Sequence, residues 1–422
     1  MSDSLEIRNI GLLATPLGTS ARRGREQGEI LRIPNAAVRA ENGRLVFVGT
    51  EPEYARAYAG RPAATTLDAA GRAVIPGLVD AHTHPVWLGD RGAEIGRRLA
   101  GVPYATIAAE GGGINATVRA TRAGSDEELR HAVTGRLAAM LAHGTTTAEA
   151  KSGYGLTEDD ELKALRLLAT LSSEPDLPRL VPTLLAAHEI PPEFRDNREG
   201  WVRLIVERLV PRVAREGLAR FCDVFCEDGV FTVEESRRIL EAAREAGLGL
   251  RVHADELALS GGAMLAAELR ASSADHLLYI ESVEIRALSV SGTVAVILPG
   301  TAWWMGSRSR RVAPARALIE AGVPVAVASD ANPGTCFTES LASVAVHACL
   351  DSALTVEETL TGMTLNAAAS LGLAHEIGSL EVGKSADLVL LDASDDRHLI
   401  YHWGVNLTAA VVSRGRLAWS RP

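Results

Sequence analysis

The sequence predicts an α/β protein: a (β/α)8 TIM barrel with a small discontinuous β-sandwich domain formed by both chain termini. Three observations carry that prediction. The middle of the chain alternates short apolar runs with amphipathic stretches, the pattern of parallel strands joined by helices. Eight such runs follow one another over about 300 residues, close to the size of a (β/α)8 barrel with insertions. The two ends read as strands and turns, and neither has enough strands to be stable alone. At 422 residues and 47% hydrophobic content, the chain has ample apolar material for two cores.

Residues 1 to 75 read as short strands. Asn42-Gly43 separates Ala37–Arg39 from Arg44–Val48, a hairpin signal because both turn residues tolerate positive φ. A second turn at Ala70-Gly71 leads into Ala73-Val74-Ile75. The stretch from 377 has the same character. Ala386–Leu391 and Ala409–Val412 are strands, and Arg414-Gly415 turns the chain into Leu417–Trp419. The expected division is therefore 1–75 plus 377–422 as the composite β domain and 76–376 as the barrel.

Within the barrel the predicted strands are Leu78–Asp80, Thr145–Ala148, Leu180–Leu184, Phe221–Phe225, Leu248–Val252, Ser272–Asp275, Thr293–Ile297 and Val325–Ala328. The helices between them carry their own punctuation. Ser125 with Glu128 and Thr232 with Glu235 are capping boxes, and Thr157 with Asp160 is a looser one. Gly144 and Gly247 stand where helices end. The Arg-rich stretch Gly306–Arg311 reads as a solvated loop in preference to a substrate lid.

Several function classes are excluded at this point. A net charge of −10 argues against nucleic-acid binding. Four cysteines without paired spacing give no disulfide framework and suggest a reducing compartment. There is no signal-like N-terminus and no apolar run of membrane-spanning length, so a soluble, cytoplasmic protein with no membrane partner is expected.

Polar residues gather at the C-terminal strand ends, where a barrel of this kind carries its active site. The first strand ends in His82 and His84, which alternation sends to one face. Later ends carry Tyr154, His188-Glu189, His253 with Glu256, His276, and Asp330 with Asn332, Gly334 and Thr335. Five of the eleven histidines lie at such ends, too many for chance. Three neutral histidines and one aspartate suit a borderline dication that would lower the pKa of a bound water. Glu256, His276 and Asp330 are the candidate proton handlers. Lys151 raises the possibility of a carbamylated lysine bridging two metals, but an ordinary loop lysine and one metal are expected.

These residues resemble a known family, the imidazolonepropionases of the amidohydrolase superfamily, mononuclear metal-dependent hydrolases. The resemblance runs from Pro76-Gly-Leu-Val-Asp-Ala-His-Thr-His84 to Tyr401-His-Trp-Gly-Val-Asn406. It rests on Glu110-Gly-Gly-Gly-Ile114, Thr145–Gly155, Ala187–Pro192, Ser273-Ala-Asp-His276, Leu298-Pro-Gly-Thr301 and Asp330–Thr335. It implies one zinc or iron per subunit on His82, His84, His253 and Asp330. It implies Arg91 on a substrate carboxylate, Tyr154 and His188 on the ring, and Glu256 and His276 as water-activating or transition-state residues. Asn332, Gly334 and Thr335 are implied to bind the propionate or the developing product. Glu189 departs from the pattern by adding a negative charge beside His188. The implied reaction is hydrolysis of 4-imidazolone-5-propanoate to N-formimino-L-glutamate, on a small anionic heterocycle, by a homodimer. Its rivals are another mononuclear amidohydrolase, such as a nucleobase or aminoimidazole deaminase, and a metal-free binding or assembly relative.

Overall fold

The structure is a computed structural model and describes residues 4–102, 106–107, 110–305 and 311–421. Most of the Arg-rich stretch Gly306–Arg311 therefore lies outside the described residues; Arg311 itself stacks over Tyr279.

Two eight-stranded sheets organise the chain. The first draws on both termini. Its strands are β1 (Ser4–Thr15), β2 (Leu31–Glu41), β3 (Arg44–Thr50), β4 (Thr65–Asp68) and β5 (Ala73–Pro76), joined by three C-terminal ones. Beyond β6–β13 of the second sheet, these three are β14 (Leu388–Leu391), β15 (Thr408–Ser413) and β16 (Arg416–Ser420). Their order is β16-β15-β14-β5-β1-β2-β3, with β4 on the first half of β1. The seam is β5, parallel to β1 and antiparallel to β14. The expected turns are present, with φ of 50° and 80° at Asn42-Gly43, 51° and 77° at Ala70-Gly71, and 51° and 75° at Arg414-Gly415.

The N-terminal strands are not all short. β1 runs for 12 residues and β2 for 11. A bulge between Ile7 and Ile10, with Asn9 at φ 55°, breaks the alternation that would have marked β1 as one strand. The region also contains a helix, Glu51–Ala57, started by a Thr50/Glu53 capping box with proline in its first turn.

The second sheet is the barrel: β6 (Leu78–Asp80), β7 (Thr145–Lys151), β8 (Arg179–Ala187), β9 (Phe221–Cys226), β10 (Gly249–Ala254), β11 (Ser273–His276), β12 (Val294–Ile297) and β13 (Val325–Val327). All neighbours in it are parallel. The circle closes from β13 back to β6 beyond the strand ends. There Asp330 N donates to His82 O at 3.0 Å and His84 N to Ala331 O at 3.0 Å. Gly77, at the crossing from one sheet to the other, has no room for a side chain, since a Cβ would lie 2.2 Å from Thr146 Oγ1.

Intervening helices begin as the sequence predicts. The Ser125 and Thr232 capping boxes are complete, and Thr157 accepts from Asp160 N. Val79, Ala81, Val181, Phe221, Val294, Val296, Ala326 and Ala328 belong to one buried cluster, while a larger one packs the helices outside the strands. No helix among the described residues is long and apolar enough to cross a membrane.

Candidate active site and metal centre

The loop after β6 is held by β7 through the residue between the two histidines. Thr83 N donates to Glu149 Oε2 at 3.1 Å and Thr83 Oγ1 to Glu149 O at 2.5 Å. With Thr83 turned to β7, His82 and His84 both face Asp330. Their Nε2 atoms are 3.2 Å apart and lie 3.5 and 3.3 Å from Asp330 Oδ1. Thr301 Oγ1 donates to the other oxygen of Asp330 at 2.6 Å and fixes the carboxylate plane. The His253 ring is centred 4.5 Å from that of His82, and the His276 ring 5.2 Å from that of His253.

Donor atoms fall into two overlapping triplets close enough to share an ion: His82, His84, Asp330, and His82, His253, His276. The expected ligand set, His82, His84, His253 and Asp330, spans both triplets, and His276 joins the second. All five residues are buried. Burial pushes His82 and His84 well below the ordinary imidazole value, and takes His276 down to about 3. Among the described residues, His253 Nε2 and both ring nitrogens of His276 have no hydrogen bond. Imidazoles with unoccupied lone pairs, beside a pair gathered at one carboxylate oxygen, suit a divalent cation.

Backbone strain concentrates here. Asp255 (φ 50°), His276 (75°), Leu277 (64°) and Asp330 (53°) are left-handed non-glycine residues at the ends of barrel strands. Such conformations cost ~1–3 kcal/mol each and persist where surrounding contacts impose them. At Asp255 two buried carboxylates supply those contacts. Asp255 accepts from the amides of Ser260, Gly261, Gly262 and Ala263, and Glu227 from those of Glu256, Leu257 and Ala258. Glu256 is thereby placed with Oε2 3.4 Å from His276 Nε2. Burial, then the charges of Asp330 and Glu227, push its carboxyl well above the usual range.

Every predicted site residue except His82 lines one cavity of about 570 Å³; His82 lies beneath its floor. His188 stacks on His84, ring centroids 5.1 Å apart, and its Nδ1 donates to Gly153 O at 2.9 Å. Tyr154 lies edge-on to His188. Its loop is tied by buried Glu161, which accepts from the amides of Gly153, Gly155 and Leu156. Glu189 also lines the cavity, and burial pushes its carboxyl upward, which mutes the charge it brings.

Arg91 is buried in the wall and pairs with Glu94, Nη2 to Oε2 at 3.1 Å. A Cβ on Gly334 would lie 2.3 Å from Arg91 Nη1, so only glycine lets the guanidinium sit there. The Asn332 side chain shapes the same loop. Its Oδ1 accepts from Gly334 N and Thr335 N, both at 2.8 Å, so these two amides are engaged within the loop. A second cavity, of about 410 Å³, shares the wall made by Arg91, Arg98, Trp304 and Gly334.

Lys151 is not a loop lysine. It ends strand β7, fully buried, with Nζ 2.8 Å from Glu149 Oε1 and 2.7 Å from Asp223 Oδ2. Both carboxylates hold it as an ammonium, and a charged amine does not carbamylate. Of the residues around it, sequence reasoning placed Glu149 and Asp275 at strand ends without a role and missed Asp223 and Arg251; all four are fully buried. The available signal was a charged residue at an inward position of an apolar strand, as in Asp223 of Phe221–Cys226 and Arg251 of Gly249–Ala254.

Comparison with known proteins follows the same lines. The model of the amidohydrolase family matches residues 73–417. An imidazolonepropionase of Symbiobacterium thermophilum is 49% identical over 414 residues, covering 98% of this chain and 96% of that protein. One of Shouchella clausii is 44% identical over 422 residues, covering 99% and 93%. Among solved structures, an E. coli guanine deaminase superposes with a TM-score of 0.75 at 16% identity, covering 99% of this chain and 100% of the other. A zinc-bound adenosine deaminase from Xanthomonas campestris gives 0.72 at 21%, covering 98% and 92%. At those identities the two deaminases share the fold.

Proposed function

The chain belongs to the amidohydrolase family and, within it, to the imidazolonepropionases, and from that premise we propose that it hydrolyses 4-imidazolone-5-propanoate to N-formimino-L-glutamate in histidine degradation. The observation that carries the reading to this site is one cavity holding both a buried histidine–aspartate cluster and an arginine. A metal-dependent attack on an acidic ring needs both.

One divalent ion, zinc or iron, held by His82, His84, His253 and Asp330 would supply Lewis acidity and bring a water's pKa toward neutrality. Arg91 receives the propionate, and Tyr154 and His188 contact the ring. The Asn332–Thr335 loop, braced from within by Asn332, sets the shape of the carboxylate end. Water adds to the ring carbonyl carbon, the adjoining ring C–N bond breaks, and the leaving nitrogen takes up a proton. Glu256, whose surroundings favour its neutral form, carries that proton with His276 beside it, and Asp330 completes the catalytic set. The same reading makes 1–75 plus 377–422 a composite β domain around a barrel domain of 76–376, and puts the enzyme in the cytoplasm. It also makes the protein a homodimer. The helices Pro299–Met305 and His398–Tyr401 both pack on Leu341–Leu350, and around them Trp303, Phe337, Leu350 and Trp403 are exposed.

The test is direct. Metal-loaded protein incubated with imidazolone propionate should convert it to a product one water heavier, identified by mass spectrometry as N-formimino-L-glutamate. Protein with stoichiometric metal and no turnover of this acid refutes the assignment, and release of ammonia from a neutral base would favour a deaminase.

A further inference from the structure

Beneath the histidine cluster the barrel holds five charged side chains, none of which reaches the cavity. They are Lys151, Arg251, Glu149, Asp223 and Asp275, all fully buried. Isolated charges do not survive such burial, so each must be paired. The pairing is repeated in form. Asp275 Oδ2 takes His82 Nδ1 at 2.7 Å and Arg251 Nη2 at 3.2 Å. Asp223 Oδ2 lies 3.0 Å from His253 Nδ1, off the hydrogen-bond axis, and takes Lys151 Nζ at 2.7 Å. In both cases one oxygen faces histidine and cation together, while Oδ1 has no hydrogen bond among the described residues.

We infer that Lys151 and Arg251 are positioning residues that, through Asp223 and Asp275, fix the Nδ1–H tautomer of His253 and His82 and so aim both Nε2 atoms at the metal. The inference rests on the reading that these histidines hold an ion. A carboxylate alone would orient an imidazole, as carboxylates commonly do behind metal-bound histidines. It would also be free to rotate and carry its oxygen away from the ring nitrogen. A cation bonded to the same oxygen prevents that, since rotating the carboxylate would break a buried charge-assisted bond. Lys151 suits the role because its second partner, Glu149, also grips the segment between His82 and His84 through Thr83 N. One ammonium therefore ties the backing of His253 to the backbone of the other two histidines.

The first measurement uses the unaltered protein stripped of metal. Selective ¹⁵N-histidine spectra should show His82 and His253 as Nδ1–H tautomers, and an Nε2–H tautomer at either overturns the inference. The second compares Lys151→Met with the double variant Lys151→Met/Glu149→Gln. The double variant restores the net buried charge while leaving Asp223 without its cation. The expected result is a ~10–100-fold weaker metal affinity in chelator competition. A changed d–d spectrum with Co²⁺ should accompany it, with an unchanged KM at saturating metal. A folded variant that binds metal as tightly as wild type, with the same Co²⁺ spectrum, overturns the proposal even if its melting temperature has fallen. Should neither variant fold, Arg251→Gln, which takes the cation from Asp275, is read by the same two measurements, and metal affinity and a Co²⁺ spectrum equal to wild type overturn the proposal. Failure of the wild type to bind any metal would instead refute the reading on which the inference rests.

Discussion

Replacing Arg91 by alanine gives the sharpest test of substrate choice. Removing one partner of a desolvated, hydrogen-bonded charge pair costs ~2–5 kcal/mol, or roughly 30- to 5,000-fold in kcat/KM. The surroundings of Arg91 push the expectation towards the upper half. Glu94, which pairs with Arg91, is also pinned by Gly113 N at 2.8 Å on its other oxygen, so it stays in place when the arginine is lost. A propionate on the far side of the guanidinium would then face a fixed carboxylate ~7 Å away, a repulsion of ~2.4 kcal/mol at an effective dielectric near 20. Arg91→Ala/Glu94→Gln, which keeps an acceptor for Gly113 but removes the charge, should regain roughly 50-fold over Arg91→Ala. Arg91→Lys should rescue little, because an ammonium cannot hold Glu94 and a second carboxylate in a planar fork. The assay is steady-state hydrolysis of imidazolone propionate beside a neutral imidazolone lacking the acidic chain. If Arg91→Ala slows both rings equally, or Glu94→Gln brings no recovery, the carboxylate role is wrong.

Three further outcomes are expected. His253→Ala should lose most bound metal and activity yet keep its far-UV circular dichroism; stoichiometric metal with full turnover would remove His253 from the ligands. Glu256→Gln should retain metal while kcat falls ~10²–10⁴-fold, as expected for a proton-transfer group, and parallel metal loss would make it a ligand or an anchor. Glu358, at the third position of a capping box and paired with Arg316, has its carboxyl held below the ordinary value, with the Arg316 bond the largest lowering influence over an opposing cost of burial. A depressed folded-state value stabilises above the unfolded one and fades as pH falls through it, so Glu358→Gln should melt lower than wild type at neutral pH and match it in acid; an acid-independent gap refutes the linkage.

Much of the barrel was legible because most strands are short apolar runs closed by a polar residue, and the eight predicted runs overlap the eight observed strands. The histidine cluster was legible for the same reason. What escaped shares a physical cause, namely that a charge reads as exposed unless its partner is known. Lys151 looked like a loop residue because its partner Asp223, seventy-two positions away, becomes a neighbour only when β7 and β9 take their places in the barrel. The helix Glu51–Ala57 escaped although Thr50 and Glu53 carry its signature, because strands on either side set the expectation. The engagement of the Gly334 and Thr335 amides by Asn332 had no sequence signal at all, since a loop of Asn-Pro-Gly-Thr can as well turn those donors outward.

The seam at β5 bears on how the chain is made. Its hydrogen-bonded partner β14 lies roughly 300 residues downstream, and at ~5–20 residues per second a ribosome delivers it about 15–60 s later. During that interval one edge of the N-terminal sheet is open on the nascent chain, a template for stray pairing. The strand is short, four residues from Ala73 to Pro76, so the open edge offers an intruder few backbone groups before β14 arrives. Brevity thus guards the unfinished sheet at no cost to the finished one.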